Sequence, residues 1–265
     1  MRVAQLGSGT PEIAVVAGIH GDEPCGVRAI ERLLDERPTV ERPVKLVVAN
    51  ELALERRVRF VDEDLNRVFP GDPEAKTHER RLADRLVSEL EGCLTFSMHS
   101  TQSHAEPFAI VNGVSKRARK LVPKLPVAAM VETSAFSNGR LFTSIDTIEV
   151  ECGLQGSETA AQNADRLTRA FLTAVGALPG DVIHRELPVF RLKDVIDKQQ
   201  ADTYEVFVEN FTEVEAGETF AAADGNEQVA EEPFYPVLMS PYGYQNVFGY
   251  TAEKIDILTD PPAAD

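Results

Sequence analysis

His20 and Glu23 stand three residues apart in Gly18-Ile19-His20-Gly21-Asp22-Glu23-Pro24-Cys25-Gly26, directly after the apolar run Ile13-Ala14-Val15-Val16-Ala17. A third candidate ligand, His99, ends a second apolar stretch in Phe96-Ser97-Met98-His99-Ser100. Two imidazoles and one carboxylate form the ligand set of catalytic zinc sites, which leave a fourth position to water or substrate. The first loop also admits a plainer reading, in which Asp22 or Glu23 caps a helix beginning at Pro24 and His20 is incidental. Of the five histidines, the other three carry less. His78 sits among charges at a helix start and reads as solvated, His104 as a polar loop residue, and His184 as structural.

Two further stretches could supply binding and proton transfer. Asp62-Glu63-Asp64-Leu65-Asn66-Arg67-Val68-Phe69-Pro70-Gly71 reads either as a charged, turn-rich loop or as a carboxylate receptor. In the second reading Asn66 offers an amide and Arg67 a rigid guanidinium fork. With Arg56, Arg57 and Arg59 just upstream, the segment forms a local positive focus for an anionic substrate. In Thr147-Ile148-Glu149-Val150-Glu151-Cys152-Gly153, strand alternation puts Glu149 and Glu151 on one face. Either both carboxylates end a strand in solvent, or Glu151 is a general base at the strand end. Gly7-Ser8-Gly9-Thr10-Pro11 lacks the lysine of a phosphate-binding loop and reads as a turn.

These residues need a scaffold, and the chain alternates apolar runs with helical patterns. Strands are predicted at 13–18, 44–50, 94–98, 107–111, 127–131 and 147–152, and helices at 24–36, 77–90 and 157–175. That alternation argues for an α/β layer architecture with a largely buried sheet, whose strand ends converge on one crevice. After the turn signal Ala177-Leu178-Pro179-Gly180-Asp181, short β-like runs follow at 182–189, 204–208, 233–239 and 246–250. The chain from about 181 reads as a small β-rich domain, ending in a frayed tail at 260–265.

The 43 acidic and 27 basic residues give a net charge of −16. Such a surplus argues against nucleic-acid and anionic-membrane partners, and it resembles the solvated surface of salt-adapted proteins. No apolar stretch approaches the ~20 residues needed to span a bilayer, and no signal-peptide pattern opens the chain. A cytoplasmic protein is expected. Three scattered cysteines encode neither a disulfide framework nor a thiolate zinc site.

In order and spacing, four motifs resemble the succinylglutamate desuccinylase/aspartoacylase family, a branch of the zinc-carboxypeptidase-like hydrolases. They are His20-Gly21-Asp22-Glu23 with Gly26, Asp64-Leu65-Asn66-Arg67, His99, and Glu151-Cys152-Gly153 with Gln155-Gly156. The resemblance covers most of residues 13–176 and extends more loosely beyond. It implies a three-layer α/β/α domain with a mixed sheet over residues 1–180 and a β-rich C-terminal domain, 181–265, capping the site. It implies one Zn2+ per chain on His20, Glu23 and His99, with Glu151 as the catalytic carboxylate. Arg59 then polarises the scissile carbonyl, and Asn66 and Arg67 hold the substrate's carboxylate. Tyr244 matches a tyrosine at the pocket mouth, with Tyr242 as the competing candidate, and Arg140 matches a further anion-binding arginine.

The implied reaction is amide hydrolysis in a small anionic N-acyl amino acid, with a homo-oligomer left open. A carboxypeptidase acting on peptide C-termini would use the same zinc and Arg67. A non-catalytic zinc-binding regulatory module is a further reading, against which Glu151 and Arg59 argue. One departure stands out: family members commonly carry an aspartate two positions before the second histidine, where this chain has Ser97. A carboxylate there could orient the ligand imidazole.

Overall fold

Residues 1–259 are described in a computed structural model; the tail expected to fray lies outside the described residues. In chain order the elements are β1 (Arg2–Leu6), β2 (Ile13–Ala17), α1 (Cys25–Glu36), β3 (Val44–Val48), α2 (Glu51–Arg56), α3 (His78–Leu90), β4 (Leu94–Thr101), β5 (Phe108–Val111), α4 (Lys116–Leu121), β6 (Met130–Glu132), β7 (Thr147–Leu154) and α5 (Glu158–Ala174). Then follow β8 (Leu187–Asp197), β9 (Tyr204–Val206), β10 (Thr219–Ala223), β11 (Asn226–Val229), β12 (Tyr235–Val237) and β13 (Val247–Leu258).

Every residue of β2 is buried, as a strand covered on both faces requires. Val15 and Val48 pack with Ala29, Ile30 and Leu33 of α1 and Leu167 and Phe171 of α5. On the opposite face Ala14, Val16 and Val47 meet Leu82, Leu86 and Leu90 of α3. The Phe96 and Phe171 rings stack at 4.7 Å and 11°, which ties α5 to β4 by aromatic contact. The expected three-layer architecture is therefore present.

One ten-stranded mixed sheet runs β1-β3-β2-β4-β7-β5-β6-β8-β13-β12. Its centre is parallel from β3 through β7, while β5 joins β7 antiparallel. Because β2 has β3 on one side and β4 on the other, the chain reverses its direction of progress there. Such a switch point opens a crevice at the carboxyl ends of the strands. The sheet continues past the turn at Gly180: β8 pairs parallel with β6, and β13 and β12 follow it. Among the described residues, β9, β10 and β11 form a separate small sheet.

Several element bounds depart from the sequence expectations. Strand β4 runs on to Thr101, so His99 lies within it. The run expected at 182–189 begins its strand at Leu187, and the one at 246–250 extends to Leu258. The Asp224-Gly225 turn joins β10 to β11, both residues having positive φ, as a two-residue hairpin loop requires. Strand β1 and the six-residue helices α2 and α4 are too short or too polar for periodicity to reveal. Among the described residues, no helix is long and apolar enough to cross a membrane, and Cys25, Cys93 and Cys152 are free and buried.

Candidate active site

The His20 loop leaves β2 through Gly18 and crosses α2 at Gly21. A Cβ on Gly21 would lie 2.1 Å from the Ala53 carbonyl carbon, so only glycine allows this approach. The Gly21 N–H is held by the Arg59 carbonyl at 3.2 Å. Pro24 occupies the N-cap of α1, with no side-chain cap bond. Glu23 gives its carboxylate to His20, Arg59, His99 and the Ser100 N–H, and Asp22 Oδ1 is buried without a partner, so neither side chain is seen to cap the helix.

Instead the Glu23 carboxylate sits between the two imidazoles. Its Oε1 accepts from His20 Nδ1 at 2.9 Å and from Arg59 at 3.0 Å. Its Oε2 accepts from His99 Nδ1 at 3.1 Å and from the Ser100 N–H at 3.2 Å. One ligand atom from each of His20, Glu23 and His99 falls within 4.8 Å of the others, and all three residues are buried. Burial pushes the Glu23 carboxyl up, yet the charges and hydrogen bonds of His20 and His99 outweigh it and hold Glu23 well below the usual carboxylate range. Burial likewise lowers His99, but Glu23 brings it to about 9.

The donor set fits a zinc ion, since both imidazoles turn the same nitrogen toward the carboxylate. His20 Nε2 is bonded to Asp64 Oδ1 at 2.9 Å, which orients the ring as carboxylate partners of metal-bound histidines do. His99 Nε2 meets the Ser97 hydroxyl at 3.4 Å. Ser97 thus gives that imidazole a hydroxyl partner rather than a carboxylate.

Asp64 is the residue whose part the sequence did not single out. It also accepts from Arg59 Nε at 3.1 Å and from the Asn66 N–H at 2.9 Å. Burial raises its proton affinity, but the His20 hydrogen bond and charge with Arg59 carry it below the ordinary range. Downstream, Glu79 holds the stretch just before Asp64, accepting from the N–H groups of Val61, Asp62 and Glu63.

His20, Glu23, Arg59, Asn66, Arg67, His99, Glu151 and Tyr244 all line one cavity of about 280 Å³. Every residue of the expected site is thereby brought together. In the β4–β7 register His99 pairs with Glu151, which explains how residues 52 apart in sequence become neighbours. Glu151 Oε2 is buried without a hydrogen-bond partner. Burial first and the Glu23 charge second raise its pKa to about 7.

Of the two tyrosine candidates, Tyr244 lines the cavity while Tyr242 is 64% exposed. Tyr250 from β13 also reaches it. Arg56 and Arg57 are exposed and do not line the cavity. The positive focus is made instead by Arg59, Arg67 and Arg140. Gly139 lies against Arg67, where a Cβ would stand 2.1 Å from the Arg67 carbonyl oxygen.

Among the other histidines, His78 is half-buried and bonded to Asn50 at 3.2 Å, not free in solvent. His104 packs edge-on against Phe108 and Phe211.

The profile of the "Succinylglutamate desuccinylase/Aspartoacylase catalytic domain" matches residues 9–174. The chain is 25% identical to a succinylglutamate desuccinylase of Vibrio cholerae over 126 residues, covering 46% of this chain and 36% of that one. The match thus spans about a third of that relative's length. With the N-acyl-aromatic-L-amino acid amidohydrolase (carboxylate-forming) of Xenopus tropicalis it shares 38% identity over 107 residues, 35% of this chain and 34% of the other. A crystal structure of a succinylglutamate desuccinylase/aspartoacylase from Rhodobacter sphaeroides superposes with a TM-score of 0.78 at 18% identity, over 96% of this chain and 89% of that one. That similarity concerns the fold, and it extends through the C-terminal strands. With more than half its residues inside the matched catalytic-domain profile, the chain belongs to the succinylglutamate desuccinylase/aspartoacylase family.

Proposed function

We propose that this protein is a zinc-dependent deacylase that hydrolyses the amide of a small anionic N-acyl amino acid. The observation that carries the reading is Glu151. Its carboxylate shares the cavity of the three ligand residues, has an unpartnered Oε2, and has a pKa raised to about 7. A carboxylate poised there can take a proton at neutral pH and return it within one turnover.

His20, Glu23 and His99 would hold the zinc, which supplies Lewis acidity and lowers the pKa of a coordinated water. Glu151 accepts the proton of the attacking water and delivers it to the leaving amine nitrogen. Arg59 donates to the carbonyl oxygen of the scissile amide as negative charge grows there, a contribution of about 3–4 kcal/mol per donor. Arg67 receives the substrate's carboxylate. Its guanidinium bonds only the Asn66 carbonyl, at 2.8 Å, and has no carboxylate partner among the described residues. Asn66 has one amide N–H on Glu149 and its oxygen on the Leu141 N–H, leaving a second N–H for the same carboxylate. Held in this way, substrate binding becomes orientation at the reacting carbon.

The described chain from residue 181 onward acts in this scheme as the cap. Leu238, Gly243, Tyr244, Gln245 and Tyr250 contribute to the cavity wall, and the small volume favours N-acyl amino acids over peptides. A reducing, cytoplasmic setting agrees with three free, buried cysteines.

The test is to load the protein with zinc, verify the metal content, and assay N-acetylaspartate, N-succinylglutamate and a panel of N-acyl amino acids beside peptides. Zinc-dependent release of the free amino acid is expected, with peptides inert. Turnover of peptides alone, or of nothing in the panel, would defeat the reading.

A further inference from the structure

Among the carboxylates that line the cavity, Glu149 is one to which the deacylase scheme gives no role. Glu149 stands two residues before Glu151 on β7, is 2% exposed, and lines the same cavity. Its Oε1 accepts from Asn66 Nδ2 at 3.2 Å, and its Oε2 lies 3.7 Å from an Arg140 terminal nitrogen. Arg140 is itself 9% exposed. Its Nε is buried without a hydrogen-bond partner, and its guanidinium carbon sits 5.6 Å above the Phe142 ring.

The three cavity arginines therefore differ in what balances them. Arg59 is engaged by Glu23 and Asp64, and Arg140 faces Glu149. Arg67 alone among them has no carboxylate partner among the described residues. Arg140 is also close enough to Arg67 that, after burial itself, it is the leading influence loosening the Arg67 proton. Glu149 offsets this like-charge pair from inside the protein, where a second substrate carboxylate would otherwise do so.

A buried carboxylate needs a cationic or hydrogen-bonding receptor, and a like charge beside it at a desolvated contact opposes binding. A ligand with one carboxylate finds Arg67. A ligand with two must place the second against an arginine already matched by Glu149.

We propose that Glu149 is a specificity-determining residue that cancels the charge of Arg140. The cavity consequently selects N-acyl amino acids bearing a single carboxylate, with an uncharged side chain and acyl group. The assignment rests on the deacylase reading for its catalytic consequence, and its charge balance can be measured by binding alone.

The experiment compares N-acetyl-L-glutamine with N-acetyl-L-glutamate, which match in shape and differ by one carboxylate. On the zinc-loaded full chain, kcat/KM should favour the glutamine derivative by about tenfold or more. Glu149→Gln should reduce that preference about tenfold or reverse it, because Arg140 becomes available. The same two compounds are titrated by calorimetry into zinc-loaded Glu151→Gln protein, with and without Glu149→Gln, where the affinity ratio should shift in the same direction. If the wild-type chain prefers the glutamate derivative, or Glu149→Gln leaves both ratios within twofold, the proposal is overturned. Should the Glu149 variant fail to fold, the wild-type ratios still decide. If neither compound is turned over but the calorimetric ratios behave as stated, the deacylase reading fails for these substrates while the charge assignment stands. Binding of neither compound refutes the assignment.

Discussion

Glu79→Gln should destabilise the protein and weaken substrate binding without touching the cavity. Glu79 is completely buried near the start of α3. Its Oε1 accepts from Asn50 Nδ2 at 3.1 Å and Val61 N–H at 2.7 Å, and its Oε2 from Asp62 N–H at 3.0 Å and Glu63 N–H at 3.3 Å. In return Asp62 accepts from the His78 N–H at 2.7 Å, so loop and helix cap one another. A glutamine keeps one acceptor oxygen and turns an NH2 toward two N–H donors, whichever way it lies. Two stranded donors at the low end of about 1–3 kcal/mol each give a loss of about 2–3 kcal/mol, since the loop is only part-buried. At roughly 2–4 °C per kcal/mol, that is a fall of about 5–10 °C in thermal midpoint.

Urea unfolding at pH 7 measures the first effect. A raised KM on the best substrate measures the second, because residues 61–63 lead directly into Asp64, Asn66 and Arg67. Burial pushes the Glu79 carboxyl up, but the Val61 N–H heads a set of hydrogen bonds that holds it below the ordinary value. For a depressed carboxyl the stabilisation is complete above the unfolded pKa of about 4.3, and is lost as pH falls through the folded value. The stabilities of the two proteins should therefore converge below about pH 4. A variant within about 0.5 kcal/mol of wild type at pH 7, with unchanged KM, would refute the reasoning.

Three other outcomes are expected. Glu151→Gln should retain wild-type metal content while turnover falls about 10²–10⁴-fold; a wild-type rate would remove Glu151 from proton transfer. Asp64→Asn should lower zinc affinity about 10–100-fold in chelator competition, because the His20 imidazole loses its charged partner. With a net charge of −16, the thermal midpoint should rise from low to multimolar KCl, as self-repulsion is screened; a midpoint highest at low salt would exclude salt adaptation.

That His20, Glu23 and His99 would be brought together could be anticipated because ligand chemistry is written in residue type, and His20 and His99 each adjoin an apolar run that must be a strand. What that reasoning could not give was register. Glu149 and Glu151 could be assigned to one face from alternation alone, but whether that face is solvent or cavity depends on β4 and β5 flanking β7. Arg56, Arg57 and Arg59 look equivalent in a row. They separate because α2 ends at Arg56 and Arg57 turns left-handed as its C-cap, which sends only Arg59 inward. Asp64 and Glu79 read as charges in polar segments, yet each is fixed by partners many positions away. The division near residue 180 was drawn where the pattern changes from helix to short strands. Hydrogen bonding follows other rules, and β8 simply continues the sheet beside β6.

The cavity's acids and bases can be sorted by whether the fold already answers them. Glu23 is matched by two imidazoles and Arg59, Asp64 by His20 and Arg59, and Glu149 by Asn66 and Arg140. Of the groups that the proposed reaction uses, two are left without such an answer: the Arg67 guanidinium, with no carboxylate partner among the described residues, and Glu151 Oε2, with no hydrogen bond. Arg67 is exposed and costs the fold little in this respect. Leaving the buried Glu151 Oε2 unpaired costs stability of order 1–3 kcal/mol, a cost that a fold retains where a reaction completes the atom. An anionic substrate completes Arg67 and the proton of an attacking water completes Glu151. The two unanswered groups thus mark the binding end and the reacting end of one small ligand lying across the same cavity.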